Sequence, residues 1–198
     1  MQNGLAFATT INKDYMITTR QELKKCLALE KDFYKPSFFG YIAAWFGLSE
    51  SNLIWKYQKR LRKWEYHLNS KHRLRTYFYK ALTLKIGYKL GFHISPNCID
   101  SGLHILHIGP ILINSNSKIG KECLLNVGVS FVSTSGNNDA PIVGDFCKIG
   151  VGATLIGNIQ LGDEVAIGAG AVVTKSFNEN HITIAGVPAK IISNNGVL

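Results

Sequence analysis

This sequence lacks most of what would tie it to a metal, to export or to a membrane span. Its four cysteines, Cys26, Cys98, Cys123 and Cys147, form no CxxC pair and no Cys/His ligand spacing, so no metal is expected. Met1–Ile17 has no basic start followed by a long apolar core, the mark of a cleavable leader. The longest apolar run, Phe38–Leu48, is too short for a bilayer, which takes about 20 residues. A cytoplasmic chain with reduced cysteines is the expectation. Acidic side chains are scarce as well, with 13 Asp/Glu against 22 Lys/Arg. The shortage is local: residues 1–92 hold 17 Lys/Arg and 6 Asp/Glu, whereas residues 93–198 hold 5 and 7. Two parts with different tasks are expected, 1–92 and 93–198.

Residues 18–91 read as helical. Thr18 or Thr19 caps a helix that runs on through Glu22. In Ser49–Leu68, Ile54, Tyr57, Leu61, Trp64 and Leu68 recur at spacings of three and four, one face of a helix. Lys56, Lys59, Arg60, Arg62 and Lys63 fall on the other face, which is expected to meet solvent. A second basic amphipathic segment runs from His72 to Leu90. Lys35-Pro36, Gly40 and Gly47 are expected to interrupt the chain before them.

The pattern then changes. An apolar residue recurs every sixth position at Val143, Ile149, Leu155, Leu161, Ile167 and Val173. Gly144, Gly150, Gly162 and Gly168 follow directly, and Cys147, Ala153, Ile159, Val165 and Ala171 stand four places on. Ile113, Ile119, Leu125 and Phe131 keep the same register, while Ile99, Ile105 and Ile111 are offset by two. Period six suits neither a helix nor an ordinary strand. A triangular coil accommodates it: each hexad gives one short strand and one corner, and stacked coils share one core. The fold class is therefore α+β, an N-terminal α-helical domain followed by a parallel β-helix with a C-terminal tail. Val132–Pro141 interrupts the repeat with loop residues, and a loop on a rigid prism is a usual place for function.

Residues 93–193 resemble the left-handed β-helix acyltransferases, and among them the serine acetyltransferase-like branch, which includes capsule and exopolysaccharide O-acetyltransferases. The resemblance rests on Gly102–Ile111, Ile149–Ala153, Ile156–Ile159, Ile167–Val173, Ala185–Lys190 and the register offset at Ile111/Ile113. It implies left-handed coils, acetyl-CoA as co-substrate and a homotrimer that holds coenzyme A between adjacent prisms. It also implies that Gly152, Ala153, Gly170 and Ala171 face the pantetheine arm and that Lys175 and Lys190 meet the phosphates.

His107 aligns with the histidine that the family uses as general base. A hydroxyl is a poor nucleophile until its proton is removed, and a neutral imidazole removes it near pH 7. Backbone N–H groups of nearby turns would then stabilise the oxyanion. His104 is the rival. Three places depart from serine acetyltransferases: Leu106 stands for an aspartate, Ala140 for a second histidine, and Phe92 for the acid that orients the base. These departures favour a saccharide hydroxyl as acceptor, with Asn126 and Asp139 as its polar contacts. Serine O-acetylation and a non-catalytic scaffold are the alternatives. Cys123 and Cys147 are expected to be core packing.

The basic helical half has its own expectations. No nucleic-acid motif appears, so nucleic acid is not an expected partner. Its apolar face is expected to pack helices together and against the prism. Peripheral contact with the inner surface of a membrane is the competing use.

Overall fold

The computed structural model describes residues 16–35, 37–45, 49–134 and 139–197. Pro36, Gly47 and residues 135–138 of the interrupting loop lie outside them. Four helices come first: α1 (Arg20–Tyr34), α2 (Phe38–Trp45), α3 (Glu50–Asn69) and α4 (Arg73–Leu90). Thr19 starts α1 with a capping box, its Oγ1 accepting from Glu22 N while Glu22 Oε2 accepts from Thr19 N, so two orphan amides are satisfied at once. Lys35 ends α1 in the left-handed region. Gly40 does not interrupt the chain as expected. It sits inside α2, where a Cβ would run into the Asn52 side chain, so its bareness allows close approach of α3.

The remainder is a β-helix of three faces. The first face stacks β1 (Phe92–Ile94), β3 (Ile111–Ile113), β6 (Ser130–Val132), β9 (Thr154–Ile156) and β12 (Val172–Val173). The second stacks β4 (Lys118–Ile119), β7 (Ile142–Val143) and β10 (Gln160–Leu161). The third stacks β2 (His104–Ile105), β5 (Leu124–Leu125), β8 (Lys148–Ile149), β11 (Ala166–Ile167), β13 (Thr183–Gly186) and β14 (Ala189–Ser193). Pairing is parallel except between β13 and β14, which close the far end as an antiparallel hairpin.

The hexad residues from Val143 to Val173 are all buried, as are Cys147, Ala153, Val165 and Ala171. The two-residue offset has a simple form. Strand β3 buries both Ile111 and Ile113 and exposes Leu112 between them. The turn that precedes it, 106–110, absorbs the extra length.

The helices finish what the prism leaves open. β2 is an edge strand, and an unpaired edge needs partners. The Tyr34 hydroxyl accepts from Ile105 N at 2.9 Å. Gln58 Nε2 donates to Leu103 O at 2.7 Å. Arg62 donates to the carbonyls of Ile99 and Asp100 and ion-pairs with Glu30 and Glu65. Arg62 was expected on the solvent face of its helix, yet it is fully buried. Two carboxylates and two carbonyls replace its water, which is what a buried guanidinium requires. One apolar core runs from Tyr34 and Trp64 into the prism.

Candidate functional site

Each corner of the prism collects one set of turns. The corner between the third and first faces holds residues 106–110, 126–129, 150–153 and 168–171, and the β13–β14 hairpin turn stands at its far end. His107 is exposed on it, in the turn after β2. The opening residue of α3 reaches this turn: Glu50 Oε1 accepts from Ile108 N at 2.5 Å, and Glu50 Oε2 lies 3.5 Å from His107 Nδ1. A proton on Nδ1 facing that carboxylate leaves Nε2 as the acceptor, the arrangement a general base needs.

The orienting acid was sought at Phe92, which is instead buried edge-on against Tyr57. A first-turn carboxylate such as Glu50 already has an explanation in the helix dipole, so its place in the sequence does not mark it as a partner of His107. One signal was available: Glu50 is the only Asp or Glu between Asp32 and Glu65. His104, the rival base, points away from this corner chemistry. It stacks on Phe33 at 4.5 Å and meets Tyr34 edge-on, and burial lowers its pKa.

Gly128, Gly152 and Gly170 continue the corner beyond His107. All three have positive φ (81°, 69° and 67°), the left-handed region where a side chain is strained. A Cβ at Gly152 or Gly170 would meet nothing within 4 Å, so bare backbone faces open space there. Lys190 is exposed and pairs in register with Ala185 at the end of this corner. From the β2 coil to the β13 coil is four strand spacings, or about 19 Å at the usual separation. His107, Gly152, Gly170 and Lys190 thus lie along one edge.

Other expected site residues fall elsewhere. Ala153 and Ala171 are fully buried. Their methyl groups fill the narrow interior and cannot face a ligand arm. Asn126 lies on the coil next to Leu106, but its Nδ2 donates to Ile149 O at 3.1 Å, bracing adjacent coils. Asp139 and Lys175 belong to the next corner, between the first and second faces, where Lys175 Nζ sits 5.1 Å over the Phe177 ring. Ala140 is buried. The turn amides proposed for an oxyanion are already engaged: those of Gly109, Gly128, Gly152 and Gly170 donate to Leu90, Pro110, Val127 and Val151 carbonyls.

The cysteine thiols offer no rival nucleophile. Burial pushes Cys26 and Cys98 up to about 12, and a hydrogen bond with the Cys147 thiol, together with burial, pushes Cys123 up as well. A thiol is nucleophilic as the thiolate, so these remain packing groups.

Comparison with known proteins adds the chemistry. The family described as bacterial transferase hexapeptide (six repeats) matches residues 140–175. The serine acetyltransferase of Synechococcus elongatus is 30% identical over 145 residues, 72% of this chain and 54% of the relative. That of Helicobacter pylori is 32% identical over 126 residues, 62% of this chain and 73% of the relative. The chain thus spans about half the length of the first of these relatives and most of the second.

Among solved structures, Neisseria gonorrhoeae serine acetyltransferase in complex with serine is 23% identical with a TM-score of 0.63, covering 88% of this chain and 70% of its own. Brucella abortus serine acetyltransferase in complex with coenzyme A is 22% identical with a TM-score of 0.59, covering 90% and 69%. The shared fold is a helical region followed by a left-handed parallel β-helix.

These matches overturn the expected saccharide acceptor and the capsule-type branch. The error has a physical root. Of the departures at Leu106, Ala140 and Phe92, the one at Phe92 is made good by Glu50, whose carboxylate reaches His107 from the helical region.

Proposed function

This chain belongs to the serine acetyltransferase family, and from that premise we propose that it transfers the acetyl group of acetyl-CoA to the hydroxyl of serine. The observation that carries the reading is the exposed His107 with Nδ1 turned to Glu50. In the proposed reaction, His107 Nε2 takes the serine hydroxyl proton as the oxygen attacks the thioester carbonyl. The tetrahedral intermediate collapses and expels the coenzyme A sulfur. The imidazolium returns its proton to that sulfur, so acetylserine and free thiol leave and the histidine is neutral again. Glu50 fixes the tautomer and steadies the imidazolium.

The donor is proposed to lie along the His107 corner. The relative solved with coenzyme A supports this class of donor. The open backbone at Gly152 and Gly170 admits a slender arm, and Lys190 offers a cation at its far end. Asp139 and Lys175 sit on a different corner, so within one chain they do not join His107. In a homotrimer of the kind the family resemblance implies, a neighbouring prism would bring its own loop corner to this groove.

Following thiol release from acetyl-CoA with serine and with a panel of sugars tests the reading. Serine-dependent, saturable release is the expected result. Release with a sugar and none with serine would overturn the acceptor. No release and no coenzyme A binding would instead make the prism a scaffold.

A further inference from the structure

The proposed reaction makes no use of α4, whose outer face combines large apolar side chains with cations. The inner face is set by Thr83, Ile86, Gly87 and Leu90, all buried. On the opposite side, Leu74, Tyr77, Phe78 and Tyr88 are 88%, 70%, 58% and 70% exposed. With Ala81 and Lys85, their spacing of three, four and seven puts them in a stripe about 100° wide. Arg73 and Lys80 flank the stripe on one side, Arg75 and Lys89 on the other, and all four are exposed.

Beside the first turns of α4 is a groove of about 460 Å³. Its floor is Trp64, Leu68 and Tyr77, and Lys71, Arg73 and Lys80 stand around it. No Asp or Glu occurs between Glu65 and Asp100.

We propose that this face of α4 docks on an anionic membrane surface, with a lipid phosphate held by the cations of the groove. Charge complementarity selects the partner. A second copy paired face to face through α4 would set the same acid-free cluster of cations against itself, at a repulsive cost. A purely polyanionic partner would leave the leucine and aromatic stripe exposed to water. An anionic bilayer answers both features: the headgroups neutralise Lys and Arg, and the aromatic rings settle at the boundary of headgroup and acyl chain. The helix would lie flat on the surface and would not cross it, since no helix among the described residues is long and apolar enough to span.

The test is flotation of the full chain with vesicles of phosphatidylcholine alone or mixed equally with phosphatidylglycerol. Binding to the mixed vesicles only, reversed by high salt, is expected. A cation near an anionic surface contributes about fivefold to partitioning, so R73E/K80E should lower binding by at least about tenfold. Y77S/F78S should lower it comparably, with the circular dichroism of both variants unchanged. Absence of binding, equal binding to neutral vesicles, or wild-type flotation of both variants would overturn the proposal. Displacement by inorganic phosphate at constant ionic strength would assign the groove to a soluble phosphate ester and overturn the membrane reading. Loss of an oligomer in Y77S/F78S without any flotation of the wild type would assign the face to a second copy.

Discussion

Two corners of the prism each carry a histidine beside a glutamate, and they differ in what surrounds the pair. On the reaction corner, His107 faces Glu50 from another part of the chain, 57 positions away. On the corner between the second and third faces, His181 Nδ1 lies 2.9 Å from Glu164 Oε2 of the neighbouring coil. The turns differ too. Both corners need left-handed backbone. The His181 corner uses Gly102 and then Glu122, Phe146, Glu164 and His181 for it, and ties its coils with Asp145, Asp163 and Asn180 accepting from backbone amides. The His107 corner uses Gly128, Gly152 and Gly170. Left-handed turns therefore do not by themselves demand glycine in this prism. At Gly152 and Gly170 a Cβ would meet only open space, so glycine there leaves bare backbone that a ligand can approach.

The comparison can be broken most sharply at the two histidines. H107A is expected to lower turnover with serine by at least about 100-fold, while H181A stays within about twofold of wild type, both read as thiol release. Near-normal activity in H107A would remove the distinction. The glutamates come next. E50Q should lower turnover by about tenfold by loosening the tautomer and the imidazolium, and E164Q should leave it unchanged.

The glycines give a smaller effect. Asn tolerates the left-handed region, so G170N keeps the turn and fills the open space. It is expected to raise the KM for acetyl-CoA by about fivefold with kcat near wild type, reading the change as donor affinity alone. Smallest of all, F146G on the other corner should shift stability by no more than about 1 kcal/mol, because relief of the left-handed strain offsets the lost side chain. Chemical denaturation checks it.

Much of this was legible in the sequence, for identifiable reasons. Every sixth residue from Val143 to Val173 faces the core, so the repeat states the burial pattern directly. The offset at Ile111 and Ile113 marked the longer turn that holds His107. What the repeat does not encode is contact between distant segments. Arg62 belongs to a basic run by spacing, and only the folded chain sets it against Glu30, Glu65 and two prism carbonyls. Glu50 is a helix-start carboxylate until α3 is laid against the turn after β2. Asp139 and Lys175 are close to the repeat in sequence but turn out on another corner. Ala153 and Ala171 show the reverse: the family resemblance set them beside the donor, whereas their side chains are buried in the prism interior.

The central claim is that donor and base share the His107 corner. Residue-resolved hydrogen exchange with and without coenzyme A tests it most directly. Slowed exchange at residues 107–109, 150–152 and 168–170, with no change at 120–122, 145–147 and 163–165, is the predicted result. Protection confined to the His181 corner, or no protection at Gly152 and Gly170 with coenzyme A bound, would contradict it.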